Sequence, residues 1–261
     1  IMSKMLAIID ATFKNKLDQL TLHRMPGALP FAGKFRLIDF TLSNLTNSGV
    51  TNVAIFPYGN YRSLQDHVGS GKKWDLDRRR DGLFILPPKN LYILPGSMIT
   101  FQRMNEHIEY LRRSTQEHVI ITAANIVWNI DFNDVLEYHL EHNNDITEVM
   151  YGNIRLKTFL LSKKLLLDYV ESYDSLEFRT VADLVEKSAS LKSNIYLHET
   201  YTRTITGIDL AKEYAKLHNA FGWGKEQFYE VNKNALLASF TNSETKKTLI
   251  QKLDEGYELV N

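Results

Sequence analysis

Apolar positions in the first half of the chain follow two rhythms in turn. Met5-Leu6-Ala7-Ile8-Ile9 is a short unbroken apolar run, the pattern of a strand buried on both faces. Residues 10–34 show no period and hold Pro26, Gly27, Pro30 and Gly33, so they read as irregular. Phe35, Ile38, Leu42 and Leu45 then recur at helical spacing, and the helix ends near Asn47-Ser48-Gly49. A second buried strand is predicted over 53–56 and a short helix over 61–67. Residues 68–100 read as one long loop rich in Gly, Pro and charge, a length that suggests function or mobility. A helix over 104–113, a strand over 119–122, a helix over 132–142 and a strand over 145–150 follow. This alternation predicts an α/β fold with a mostly parallel sheet and helices on both faces. Ligands of such sheets bind at the C-terminal ends of the strands.

The rhythm breaks at Met150-Tyr151. Beyond it a strand is predicted over 156–161, helices over 162–172 and 180–188, and a strand over 194–198. From about residue 202 the pattern becomes helical, over 208–220, 225–239 and 243–255. Leu210, Tyr214, Leu217 and Phe221 make one apolar stripe there, and Thr241-Asn242-Ser243-Glu244 matches a capping box. The expected organisation is a domain over 1–201 and an α-helical segment over 202–261.

Composition narrows the function classes. Lys plus Arg number 31 and Asp plus Glu number 31, so no chain-wide charge draws the protein to nucleic acid or an anionic membrane. Hydrophobic residues are 44%, enough for a sizeable core. There is no cysteine, which excludes disulfides, thiolate metal sites and cysteine nucleophiles and fits a reducing, cytoplasmic setting. No apolar run is long enough to span a membrane. The start, Ile1-Met2-Ser3-Lys4, has no signal-peptide pattern.

Candidate chemistry is concentrated at a few places. Gly71 to Asp81 holds five basic and three acidic residues, among them Asp75, Asp77 and Arg78 beside Trp74. It is either an anion site using forked Arg donors or a solvated loop with internal ion pairs. Lys34 and Arg36 open the first helix, against its macrodipole. A bound anion would repair the mismatch, and snorkelling beside Phe35 is the alternative. Asn125 follows the third strand, where a carboxylate would serve metal–phosphate chemistry but a carboxamide is a poor Mg²⁺ ligand. Asp131, beside Asn133, is expected to cap the next helix. His139 and His142, near Glu137 and Glu141, lack a third ligand at a known spacing and are expected on a solvated helix face. No Gly-x-Gly-x-x-Gly or Walker loop occurs, and Asp10-Ala11-Thr12-Phe13-Lys14 after the first strand has no glycine.

Leu29 to Asn44, then Asn47-Ser48-Gly49, resembles the sugar-phosphate nucleotidyltransferases and, more narrowly, the glucose-1-phosphate adenylyltransferase (ADP-glucose pyrophosphorylase) family. Trp74 to Arg78 and Asp81 to Pro88 are similar to the same family, and the resemblance covers about residues 3–200. It implies a Rossmann-like nucleotidyltransferase domain. Three departures stand out against the family pattern. A glycine-rich loop is expected where Asp10 to Leu17 stand, a lysine where Pro26 stands, and a catalytic, metal-binding aspartate where Asn125 stands. These losses resemble the GlgD-type regulatory subunits, whose catalytic residues are absent.

The resemblance places Lys34 and Arg36 in an effector or phosphate-binding role, with His23 where some members have a further lysine. It implies a catalytic adenylyltransferase partner or a homo-oligomer, nucleotide or sugar phosphate ligands, and Mg²⁺ only if the chain is active. The rival readings are an active enzyme making ADP-glucose and pyrophosphate, and a noncatalytic binding module. Against the family, the step from Met150 to Tyr151 skips a segment that includes the Glu-Lys pair for glucose phosphate, which implies either a stretch left out of this sequence or a deletion. Residues from 202 onward resemble the C-terminal helices of adenosine deaminases without their zinc ligands or catalytic acids.

Overall fold

A computed structural model of the chain describes residues 4–12, 25–31, 33–89, 98–198, 218–219, 222–238 and 243–258. It divides into two compact units, Ile1–Thr202 and Arg203–Asn261.

The first unit is built on a sheet of seven strands: β1 (Met5–Ala11), β4 (Asn52–Pro57), β5 (Gly82–Ile85), β6 (His118–Ala123), β7 (Ile146–Tyr151), β8 (Ile154–Ser162) and β9 (Ser193–Leu197). Their spatial order is β5-β4-β1-β6-β8-β7-β9. Strands β2 (Pro30–Phe31) and β3 (Phe35–Arg36) form a separate small antiparallel pair. All neighbours in the large sheet are parallel except that β8 runs antiparallel to β6 and β7.

Every residue of β1 is buried, which explains its unbroken apolar run. Met5, Ala7, Ile9 and Ala11 enter one core, while Leu6 and Ile8 enter the other. The first core is completed by Ile38, Leu42 and Leu45 of α1 (Leu37–Asn47), Leu64 and Val68 of α2 (Arg62–Val68), and Phe132 and Val135 of α5 (Phe132–Glu141). The second uses α3 (Phe101–Asn105), α4 (Ile108–Arg113), α6 (Lys163–Glu171) and α7 (Val181–Lys187). Helices therefore cover both faces, as the alternating pattern predicts.

Three local expectations need correction. The stretch 68–100 is not one long loop, because β5 lies inside it and pairs in parallel with β4, Asn52 against Gly82 to Ile55 against Ile85. The helix expected over 104–113 is two helices, α3 and α4. His107 leaves the helical region at φ −126° and ψ 34°, and its Nε2 lies 2.7 Å from the Pro87 carbonyl. The rhythm break at Met150-Tyr151 falls inside one element, β7, whose pairing with β8 shifts register between Val149 and Met150. The strand continues to Tyr151, turns through Gly152 (φ +53°) and Asn153, and returns as β8.

In the second unit, α8 (Lys225–Ala238) and α9 (Ser243–Glu258) are linked by Tyr229 Oη donating to Asp254 at 2.7 Å and Asn232 Nδ2 donating to Tyr257 Oη at 3.1 Å. The stripe Leu210, Tyr214, Leu217 and Phe221 lies outside the described residues. Among the described residues, no helix is long and apolar enough to cross a membrane.

Candidate functional site

The chain leaves β1 toward β4 and β5 on one side and returns to β6 on the other, so strand order reverses between β1 and β6. In an open parallel sheet the crevice at the C-terminal ends of such a pair is the ligand site. Asp10, Ala123 and Asn125 stand there.

Asp10 is 2% exposed. By alternation along β1 its side chain leaves on the face of Leu6 and Ile8. Its Oδ1 accepts the Thr12 N–H at 2.9 Å and the Thr12 hydroxyl at 2.6 Å. Its Oδ2 accepts the Ile99 N–H at 2.7 Å. Burial pushes this carboxyl above its ordinary range, and the three donors together with the charge of Lys157 pull it back. Lys157 is an exposed residue of β8 held at φ +48°, a conformation uncommon for a side chain other than glycine.

The opposite wall is apolar and tightly packed. The Ala124 N–H donates to the Asp10 carbonyl at 2.9 Å, and Thr41 Oγ1 donates to the Ala123 carbonyl at 3.1 Å. The buried 3₁₀ turn Pro26–Ala28 lies against Ala124 so closely that a Cβ on Gly27 would stand 2.9 Å from the Ala124 Cβ. Pro26, at the position where the family resemblance leads one to expect lysine, is thus a buried ring with no charge. Asn125 is half-buried.

Deeper along the sheet, Arg103 pairs with Glu106 at 2.8 Å, donates to the Leu86 carbonyl and lies 5.1 Å from the Phe56 ring centroid. Burial lowers its pKa, and Glu106 and Asp10 oppose that shift.

This donor set does not fit Mg²⁺. A hard divalent cation prefers several carboxylate oxygens. The only strand-end carboxylate described in the crevice is already engaged by three N–H and O–H donors, and Asn125 is neutral. Among the described residues, no three His, Asp or Glu gather to hold a metal.

The residues singled out from sequence are dispersed. Arg36 donates to both the carbonyl and the hydroxyl of Ser63, so its guanidinium is committed to the start of α2. Its own N–H donates to Asp39 at 3.0 Å, and Asp39 also lies 2.6 Å from His67 Nε2. Asp39 thus supplies the negative charge that the start of α1 calls for. Lys34 is exposed, with its Nζ 5.3 Å from the Phe35 ring centroid.

The charged loop is at the opposite edge of the sheet, where β5 begins beside the start of β4. Trp74 Nε1 donates to Ser43 at 3.3 Å, Arg78 pairs with Asp75 within the loop, and Asp77 is exposed. The loop is held partly by its own ion pair and partly from outside, by Ser43 of α1 and by Gln116, which donates to Asp81 at 3.1 Å.

Asp131 caps α5 by accepting the Asn133 N–H at 2.9 Å. His142 is exposed and stacks on Tyr138. His139 is not on a solvated face as expected, but 4% exposed, with Nδ1 2.9 Å from Thr147 Oγ1 and its ring 5.6 Å from that of His118. His23 lies outside the described residues.

Asp10, Arg103 and Lys157 were not found by sequence reasoning. A carboxylate ending a buried apolar strand was the available signal for Asp10. Nothing local marks the other two, whose places depend on long-range packing.

The sequence profile of the nucleotidyl transferase family matches residues 14–196, and that of the adenosine deaminase family matches residues 196–256. The chain is 40% identical to the glycogen biosynthesis protein GlgD of Bacillus subtilis, over 79% of this chain and 61% of that protein. It is 43% identical to GlgD of Geobacillus stearothermophilus, over 70% of this chain and 54% of the relative. Against the glucose-1-phosphate adenylyltransferase of Clostridium novyi the identity is 34%, over 56% and 39%. The chain therefore spans less than two thirds of the length of these relatives. With the switch-point sheet in place and the profile covering most of the first unit, the chain belongs to the nucleotidyl transferase family.

Proposed function

We propose that the chain acts as a regulatory subunit, weakly active or inactive, of glucose-1-phosphate adenylyltransferase in the making of ADP-glucose for glycogen. In this reading it binds nucleotide or sugar phosphate weakly, with Lys34 and Arg36 as the candidate phosphate-binding residues, and works through a catalytic subunit in a hetero-oligomer. The observation that carries the reading is the state of the switch-point crevice. Its strand-end carboxylate, Asp10, is consumed by internal donors, Asn125 is neutral, and Pro26 is buried and uncharged. Transfer of an adenylyl group develops negative charge around phosphorus, which active enzymes offset with metal ions and fixed cations. The described residues of this crevice offer little of that charge compensation. The likeness to GlgD proteins favours the same assignment.

The test is release of pyrophosphate from ATP and glucose-1-phosphate in the presence of Mg²⁺. The chain is assayed alone and then mixed with a catalytic adenylyltransferase subunit. The expected result is silence alone and a shifted rate or effector response in the mixture. Robust turnover by the chain alone overturns the proposal in favour of an active enzyme with a different charge-compensating set. No effect in either arm leaves the noncatalytic binding module.

A further inference from the structure

We propose that the cavity where α1 ends and α5 begins binds a neutral sugar, a glucose unit held through its hydroxyls. The cavity measures about 690 Å³, and its lining includes Asn47, Asn129, Asp131, Asp134, Tyr196 and His198. That volume is within the range of about 300–1,000 Å³ usual for small-molecule sites. Asn47 closes α1, and Asp131 and Asp134 open α5. None of the described lining residues belongs to the switch-point crevice.

Two buried polar side chains mark what the cavity takes. His198 is 7% exposed and Trp128 4%, and their rings meet edge to face with centroids 5.8 Å apart. His198 Nε2 and Trp128 Nε1 are both buried without a hydrogen-bond partner. Protein interiors leave few such groups, because each costs free energy until something meets it. The two have opposite needs. The indole N–H can only donate. His198 bonds to the Asn129 backbone, a role that falls to Nδ1 because Nε2 has no partner, so the neutral ring presents Nε2 as an acceptor. A hydroxyl gives to the one and takes from the other, and the contact between the rings puts both within reach of one ligand. An ammonium group meets only the histidine, since it has nothing to accept the indole proton.

Charge turns the cavity away from anions. Asp131 caps α5 and Asp134 is in its first turn, so two carboxylates already meet the positive end of that helix. No Lys or Arg is among the described lining residues, so a phosphate there meets like charge with no cation to offset it. Among the described residues no three His, Asp or Glu gather to hold a metal, which sets a divalent ion aside as well. Carboxylates and carboxamides bond hydroxyl groups readily, and the half-buried Tyr196 ring supplies an apolar wall beside them.

The choice of glucose rests on the proposed role in glycogen synthesis, whereas the preference for hydroxyls rests on the cavity alone. The full chain, labelled with ¹⁵N, is titrated with maltotriose while the indole N–H resonance of Trp128 is followed. That resonance should move saturably. Asp134→Ala should weaken binding about tenfold, and Asp134→Asn, which keeps an oxygen acceptor, by less. Co-sedimentation with glycogen that Asp134→Ala abolishes identifies a polymer as the source of the sugar, and maltotriose binding without it identifies a free oligosaccharide. Circular dichroism melts establish which variants are folded. No saturable shift in the parent, or equal affinity in a folded Asp134→Ala, overturns the proposal. If Asp134→Ala does not fold, Asn47→Ala decides by the same criterion. The pyrophosphate-release assay with the catalytic subunit is run beside it. An intact partner response without maltotriose binding sinks the sugar site and spares the regulatory reading. Asp134-dependent binding without any partner response does the opposite.

Discussion

Burial has turned His139 into a group that resists protonation. Its pKa is lowered to about 4, first by loss of water around the ring and then by the neighbouring His118, with Asp145 opposing. The folded pKa is below the ordinary value near 6.5, so the unfolded chain binds the extra proton first. Stability is therefore full above pH 6.5 and is lost as pH falls toward 4, by an amount on the order of 3 kcal/mol. The check is urea unfolding at several pH values for the parent and His139→Gln. The variant should show a shallower fall across that window, and equal slopes would remove His139 from the account. Gly27 makes a second case, because its hydrogen faces the Ala124 Cβ at a spacing that leaves no room for a methyl group. Gly27→Ala should lower stability by about 1–3 kcal/mol in a thermal melt, since a close-packed interior cannot absorb an extra carbon freely. Neither residue announces itself in the sequence. His139 and His118 are far apart along the chain, and His139 looks like the partner of the exposed His142. Residue type and spacing on one helix say nothing about what the neighbouring strand brings up beside it.

Elements were far more legible than side-chain partners. β1, β4, β6 and α1 could be read directly, because a doubly buried strand must be apolar throughout and a one-sided helix must repeat its apolar face. β5 was hidden for a physical reason. It has four residues, sits at the sheet edge, and leaves Phe84 substantially exposed, so no burial pattern emerges from its neighbours. The start of α1 was half legible. The cations Lys34 and Arg36 were visible as a mismatch with the helix dipole, and the repair is internal: Asp39 accepts the Arg36 N–H and meets His67. Asp39→Ala should therefore cost about 1–2 kcal/mol, from the lost cap bond and a stranded His67, as measured by denaturant midpoint at neutral pH. The charged loop before β5 predicts the contrary outcome. Arg78 and Asp75 form an exposed pair within one turn, so Arg78→Ala should move stability by no more than about 0.5 kcal/mol. A large loss there would show that the exposed pair, and not the loop's bonds to Ser43 and Gln116, holds the loop in place.

At the scale of the whole molecule, the first unit carries its own cores. The residues of both buried clusters, and the partly buried ones packed against them, lie between Met5 and Tyr196, on both faces of one sheet. The described helices of the second unit contribute none of them. There Val231, Leu237 and Leu249 remain exposed, and the described links between α8 and α9 include the polar pairs of Tyr229 and Tyr257. A sheet with both faces covered by helices has its apolar positions buried within one unit. The two family profiles meet at residue 196, close to the boundary between the units. A chain of residues 1–202 should therefore unfold cooperatively with a midpoint within about 5 °C of the full chain, as followed by calorimetry. It should also retain any effect of the full chain on a catalytic adenylyltransferase subunit, since the described residues of the switch-point crevice belong to the first unit. A collapse of the melt on removing 203–261 would mean that the sheet depends on the helical segment for stability. An intact melt with the effect on the catalytic subunit lost would instead place the regulatory surface on that segment and not on the crevice.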